Sequence, residues 1–446
     1  MSSDRKRYAV VGTGARSAMF TTSLLETYAY RHDLVALCDT NQTRMDYWNR
    51  EFVERFGIEP LPTYRADRFA EMLERERVDS VIVTTVDRTH HTYICAAMEA
   101  SCDVLSEKPM TITAETCSEI LETQARTGRD LKVTFNYRYA PRNTRVKELL
   151  RSGAIGRVVS VHFEWLLNTK HGADYFRRWH RDKINSGGLM VHKSTHHFDL
   201  VNWWLDSEPT RVFAQGGLRF YGKDNARERG ITEFYERAHG SDVAAKDPFA
   251  IDLASDSGLK GLYLDAEHED GYYRDQSVFG EDITAEDDVA VLVNYSNGAT
   301  MTYHLTAYSP WEGYRVAFNG AEGRLELSCV ESAYVSGSDT DHNAARNVQG
   351  ASEVEVDEPT RLVLQRHWEK PQEIDLPQAN QGGHGGADTL LLQDCFDPQG
   401  DDPLGRAAGH LDGARSILTG IAANRSMETG LPVDVSSLLP AGALSD

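Results

Sequence analysis

No apolar run in this chain reaches the roughly 18 residues that a membrane-spanning helix needs. Positive charge is scarce. Lysine and arginine total 47 against 68 acidic residues, for a formal net charge of −21. Nucleic acid and anionic membrane surfaces both demand cationic protein surface, so neither is an expected partner. An anionic small molecule in a local cationic pocket stays open. The first residues, Met-Ser-Ser-Asp-Arg-Lys-Arg, lack the apolar core of a signal peptide, and a cytoplasmic protein is expected. The six cysteines, at positions 38, 95, 102, 117, 329 and 395, include no Cys-x-x-Cys pair. Reduced, mostly buried thiols are the simplest reading, and no metal site is expected from them. There is no internal repeat. With 446 residues, the chain exceeds one ordinary core, so two or three domains are expected.

What is present is concentrated at the start. The apolar run Tyr8–Val11 ends in Gly12-Thr13-Gly14, and a helix pattern opens behind it at Ala15 and Arg16. A second apolar run, Leu34 to Cys38, ends in Asp39. This is the layout of a dinucleotide-binding βαβ unit. Gly12 permits a sharp turn, Gly14 permits close approach of backbone to a pyrophosphate, and the helix start offers unpaired N–H groups. Asp39 stands where a carboxylate can accept the ribose hydroxyls, and it would repel a 2′-phosphate. Arg44, a few residues on, could soften that preference for NAD. The third glycine of the usual fingerprint is missing; Ser17 stands there. The bland alternative is a glycine-containing turn with no cofactor.

Residues 8–135 alternate strands (Tyr8–Val11, Leu34–Cys38, Ser80–Thr84, Asp103–Ser106, Lys132–Phe135) with helical patterns such as Thr89–Ala100 and Ala114–Thr127. The expected fold is α/β: an N-terminal doubly wound parallel sheet of the Rossmann type, then an α+β domain with a large, open, mostly antiparallel sheet. The boundary is placed at 135/136, giving domains 1–135 and 136–446. Short strands run from Val158 to Leu166 and, later, from Asp288 to Ser328, interrupted by an apolar helix over Ser194–Leu205. Residues 222–287, charged but carrying Tyr263, Tyr272 and Tyr273, and residues 331–382 are read as insertions: a lid, an oligomer contact or a mobile loop. The tail, Ala407–Leu431, is helical.

Ligands of doubly wound sheets bind at the carboxyl ends of the strands. This singles out Thr85 and Asp87 after one strand, Glu107-Lys108-Pro109 after another, and Asn136-Tyr137-Arg138 after a third. A lysine at such an end can reach a substrate hydroxyl; the alternative is a surface lysine. The second cluster runs Gly187-Gly188-Leu-Met-Val-His192-Lys193-Ser-Thr-His196-His197-Phe-Asp199. On a continuous helix, His192 and His196 would share a face. That spacing could bind zinc, but no glutamate stands between them as in His-Glu-x-x-His. A histidine acting as acid or base is favoured, since imidazole titrates near neutrality. Of His196 and His197, the latter is the one expected to be a packed helix residue. His384 could reach the cleft, and Arg177, Arg178 and His180 are candidates for anion binding; a flexible turn and a solvated loop are the respective alternatives.

Taken together, Gly12-x-Gly14, Asp39, Glu107-Lys108-Pro109, Asn136-Tyr137-Arg138-Tyr139-Ala140-Pro141, and Gly187-Gly188 followed by His196 and Asp199 resemble the glucose–fructose oxidoreductase/inositol dehydrogenase (Gfo/Idh/MocA) family. The resemblance spans about residues 6–220 and 285–330, with a looser tail. It implies NAD as cofactor, a sugar or cyclitol substrate, and an open sheet that supports a homo-oligomer, dimer or tetramer. It implies that Lys108 is the substrate-hydroxyl lysine and His196 the catalytic histidine. Thr85, Asp87 and His90 would line the nicotinamide side. The cofactor set is completed by Gly12, Gly14, Ala15, Arg16, Asp39, Glu107 and Asn136, and the substrate set by Tyr137, Arg178, His180, Lys193, His197 and His384. One departure stands out. The family often has aspartate four residues before the histidine; here that position is His192, with Lys193 beside it. A carboxylate is lost and two potential cations are gained, which puts both residues among the catalytic candidates and points to an anionic substrate group or to help in polarising a hydroxyl.

Three functions fit these residues. One is an NAD-dependent dehydrogenase oxidising a secondary alcohol. Another is a glycosidase that keeps its NAD, oxidising C3 transiently so that elimination and hydration follow, for example on sulfoquinovosides. The third is a non-enzymatic NAD-dependent sensor, against which Lys108 and His196 argue.

Overall fold

A computed structural model describes residues 5–336, 360–376 and 386–444. The N-terminal sheet consists of β1 (Lys6–Val11), β2 (His32–Asp39), β3 (Thr63–Arg65), β4 (Ser80–Val83), β5 (Asp103–Ser106) and β6 (Leu131–Val133). All its pairings are parallel, in the order β3-β2-β1-β4-β5-β6. This is the doubly wound dinucleotide-binding topology. Helices cover both faces, so Ala9, Val10, Val11, Val81, Ile82 and Val83 are wholly buried and the strands read as unbroken apolar runs. The sequence reading had five strands here. β3 was missed because three residues, Thr-Tyr-Arg, are too few to show an alternation.

The second sheet has nine strands: β7 (Val158–Asn168), β8 (Pro209–Gly217), β9 (Asp288–Tyr295), β10 (Thr300–Ser309), β11 (Glu312–Gly320), β12 (Gly323–Ser332), β13 (Arg361–Arg366), β14 (Gln372–Ile374) and β15 (Val433–Asp434). Their order is β14-β13-β12-β11-β7-β10-β9-β8-β15. Among the described strands of this sheet, only the β7–β10 pair is parallel. β9 shows a strict alternation of exposed and buried residues, as expected of a sheet with one face on a core and one open. The buried face packs against the helices Thr195–Leu205 and His410–Thr429. Asp199 of the first and Asp412 of the second converge on Arg138, whose guanidinium meets Asp199 at 2.6 and 2.8 Å and Asp412 at 2.9 Å.

The insertions differ from their reading in detail. The described part of 331–382 carries β13 and β14, which extend the sheet instead of leaving it. Residues 222–287 fold into short helical turns. Their apolar residues Ile251, Leu253, Leu259, Leu262 and Tyr263 pack on Ala15, Tyr47 and Trp48 of the N-terminal domain. His384 lies outside the described residues.

Candidate active site

A cleft of about 520 Å³ opens where the strand order reverses between β1 and β4. Gly12 turns the chain there with φ +89°; a Cβ on it would sit 2.6 Å from the backbone of Thr84 and Thr85, so no side chain fits. Gly14 differs. A Cβ there would point into the cleft, with only the Tyr263 hydroxyl nearby, at 3.7 Å. The loop is therefore bare on the side where a pyrophosphate would lie, and the short turn Ala15–Ser17 leads into the helix Ala18–Leu25. These features fit NAD. Gly12, Gly14, Ala15, Thr85 and Asp39 would hold it, together with the Arg16–Glu107 pair at 2.7 Å.

Several expected cofactor residues are tied to the protein as well. Asp39 accepts from the Thr13 amide and hydroxyl at 2.5 and 2.8 Å on one oxygen, and from the Asn41 amide and Thr40 hydroxyl at 2.9 and 3.3 Å on the other. Its first task is to shape the glycine loop. The ring nitrogens of His90 lie 2.7 Å from the Pro109 carbonyl and 3.1 Å from the Thr85 carbonyl, joining two strand ends. Asn136 donates to Asp388 at 2.6 Å.

The chemistry-bearing residues meet at the far end of the cleft. Lys108 and Asp87 come from the parallel sheet; His192, Lys193 and His196 come from the second domain. Gly188, at φ +77° in the left-handed region that favours glycine, starts the helical turn Leu189–His192. The helix read over Ser194–Leu205 forms as Thr195–Leu205, so His192 lies outside it and shares no face with His196. The turn breaks at Lys193-Ser194, and the amide of His196 bonds the carbonyl of Lys193 at 3.3 Å. The carbonyl of His192 is thereby released, and it accepts the Lys108 ammonium at 3.2 Å. The two histidine rings also part. His192 Nδ1 lies 2.5 Å from Asp87, whereas the His196 ring stacks on Tyr137 with centroids 4.3 Å apart. The carboxylate missing from position 192 is thus supplied by Asp87, across the domain boundary.

Burial dominates the electrostatics. It lowers the Lys108 ammonium to about 8, although Asp87 and Glu107 pull the other way. It also holds His192 and His180 well below the ordinary histidine range, helped by Lys108 and Arg178. Asp87 is pushed up by the same burial. Burial thus favours the uncharged form of both partners of the Asp87–His192 contact. Lys193 is 2% exposed, donates to the Tyr137 hydroxyl at 3.1 Å, and lies 5.1 Å from the Trp165 ring. Among the described ion pairs none includes it.

Arg178 lines the cleft but is shared. Arg177, Arg178 and Arg274 all meet Asp174, at 3.2, 3.1 and 2.8 Å. Burial alone would raise the Asp174 carboxyl; the three guanidiniums outweigh it and hold it low. The solvated-loop reading of Arg177 and Arg178 does not hold, since both are buried. His180 lines the cleft with its ring centroid 4.1 Å from that of His192. His197 does not reach the cleft. Fully buried, it stacks on Trp165 at 4.0 Å and meets the Tyr303 hydroxyl at 2.6 Å, which corrects its place among the substrate residues.

Residues not singled out from the sequence also line the cleft. His171 and Tyr175 follow β7 on the helix Thr169–Arg177, capped by Asn168, whose side chain accepts the amides of Lys170 and His171. His171 pairs with Glu312 at 2.7 Å. An asparagine cap directly after a long strand was the available signal. Tyr263, Asp270 and Tyr272 reach in from the insertion.

The family model "Oxidoreductase family, NAD-binding Rossmann fold" matches residues 6–135, and "Oxidoreductase family, C-terminal alpha/beta domain" matches residues 147–435. YteT of Bacillus subtilis (strain 168), named as a candidate oxidoreductase, is 34% identical over 97% of this chain and 98% of its own. An inositol 2-dehydrogenase of Rubrobacter xylanophilus is 28% identical over 48% of this chain; the match spans 56% of that enzyme. Among solved structures, the WlbA dehydrogenase of Bordetella pertussis, in complex with NADH and UDP-GlcNAcA, superposes with a TM-score of 0.61 at 16% identity, over 97% of this chain and 99% of that one. With a glycine loop, a strand order and a two-sheet architecture that agree with both family models, the chain belongs to the Gfo/Idh/MocA family of NAD(P)-dependent oxidoreductases.

Proposed function

We propose that this protein is an NAD-dependent dehydrogenase acting on a secondary alcohol of a sugar or cyclitol that carries an anionic group. The observation that carries the reading is the convergence of Lys108, Asp87–His192, Lys193 and His196 at one end of a cleft whose other end is the glycine loop. NAD, when bound, accepts or returns the hydride. The chain's own groups handle the proton and the orientation. Lys108, neutral above about 8, takes the proton of the substrate hydroxyl at Nζ. The carbonyl of His192 and the carboxyl of Asp87 keep that ammonium in place. His196, backed by the Tyr137 ring, contacts the substrate from the second domain and stabilises the proton shift. Lys193, buried and outside the described ion pairs, takes the anionic group in its protonated form, which burial disfavours and Glu312 and Glu331 favour. The inositol 2-dehydrogenase relative supports a polyol substrate. The test is to incubate the protein with NAD and a panel of neutral and anionic sugars, cyclitols and glycosides, recording NADH and released aglycone together. Stoichiometric NADH with anionic polyols is the expected result.

A glycosidase that keeps its NAD is the second reading. The adjacent His180 and Asp87–His192 groups favour it, because elimination and hydration need proton transfers beyond the hydroxyl step. Aglycone release without net NADH would select it. We also infer a homo-oligomer built on the open face of the nine-stranded sheet, where Leu292 is exposed beside His162, Glu164, Arg315 and Glu326.

A further inference from the structure

We infer that Asp270, in the inserted segment, is a cofactor-specificity residue: it holds Arg44 as its counter-ion and so denies a 2′-phosphate the cation it would need. In doubly wound folds, an arginine near the acid after β2 is what accommodates the 2′-phosphate of NADP. Arg44, in the first turn of the helix Gln42–Phe56, stands at that place, and both Asp39 and Arg44 line the cleft. By its own sequence position it would weaken the choice of NAD.

The insertion removes that ambiguity. Asp270 meets Arg44 Nη1 at 2.7 Å, and the carbonyl of Leu262 accepts from Arg44 Nε at 3.0 Å. Tyr263 and Tyr272 stack near the guanidinium, at 5.7 and 5.9 Å. The same carboxylate accepts the Asn41 amide group at 3.1 Å, beside Asp39. Neighbouring Glu269 accepts the amides of Gln42 and Thr43 at 2.9 and 2.6 Å, the first orphan donors of that helix. Those amides are the other groups that could take a phosphate there. A 2′-phosphate would therefore face Asp39, Asp270 and Glu269, with Arg44 Nε and Nη1 and the first helix N–H groups already occupied, so that only Arg44 Nη2 is left as a donor and Asp270 neutralises its charge. The ribose hydroxyl of NAD asks for none of these donors.

The test is direct binding of NAD+ and NADP+ by calorimetry to the wild type, D270N, D270S and D270N/R44A, each checked for folding by thermal melting. This rests on NAD binding, and wild type that binds neither nucleotide would overturn that reading separately. The expected result is that D270N and D270S bind NADP+ about tenfold more tightly while NAD+ affinity changes less than threefold. Removing Arg44 in D270N should cancel the gain. An unchanged NAD+/NADP+ ratio in the folded variants would overturn the inference. So would a gain that survives loss of Arg44, or loss of folding in both single variants, which would make Asp270 purely structural.

Discussion

At the residue scale, Lys108 is the side chain on which the proposed chemistry turns. Its ammonium is buried and pulled down to about 8. If its neutral form takes the hydroxyl proton, kcat/KM for alcohol oxidation should rise with pH through about 8 and level off above it. The Lys108→Ala variant should lose that inflection and about a hundredfold or more in turnover, with NAD affinity unchanged. Neighbouring histidines separate by role. His196→Ala should nearly abolish turnover at every pH. His197→Ala, which removes the Trp165 stack and the Tyr303 hydrogen bond, should cost about 3 kcal/mol of stability, read by denaturant unfolding, and leave turnover largely intact. The reverse pattern would move the catalytic role to His197. Lys193→Ala should raise KM for anionic substrates more than for neutral analogues.

At the element scale, Arg138 is the pin between the 3₁₀ turn Asn136–Tyr139 and two long helices. Replacing Asp199 by Ala leaves its guanidinium buried with Asp412 alone. A loss of about 3–5 kcal/mol is expected, visible as a lower melting temperature. Elements were legible from sequence where a pattern was long. The glycine loop, Ala114–Thr127, β7 and the tail helix all announce themselves by periodicity and caps, and Lys108, Asp87 and Tyr137 follow from lying at strand ends. What stayed hidden needed three dimensions. β3, β13 and β14 are too short or too polar to show a period. The one-turn helix Leu189–His192 is likewise too short to show a period. The partnership of Asp87 with His192 joins residues 105 positions apart, and no local rule could pair them. Asp39 was placed correctly in the cleft, yet its bonds to Thr13 and Asn41 emerge only from the folded loop.

At the scale of the whole molecule, one broad face of the nine-stranded sheet carries no cover among the described residues. If copies of this chain meet there, Leu292→Arg should shift the species seen by light scattering to a smaller mass while leaving the melting temperature near that of the parent, since Leu292 is half exposed in a single chain. An unchanged mass would move the contact elsewhere. The insertion also belongs to this scale. It grips the N-terminal domain through Asp270 and Glu269, and the second domain through Arg274 on Asp174.

The contact between Asp87 and His192 has a consequence for the timing of a catalytic cycle. Its two halves stand on different domains, and both line the cleft. If the dinucleotide enters by parting the two domains, that motion breaks a contact 2.5 Å long. On that route, loading and proton transfer would be successive states of one molecule, and the carboxylate lent across the boundary would act as an interlock.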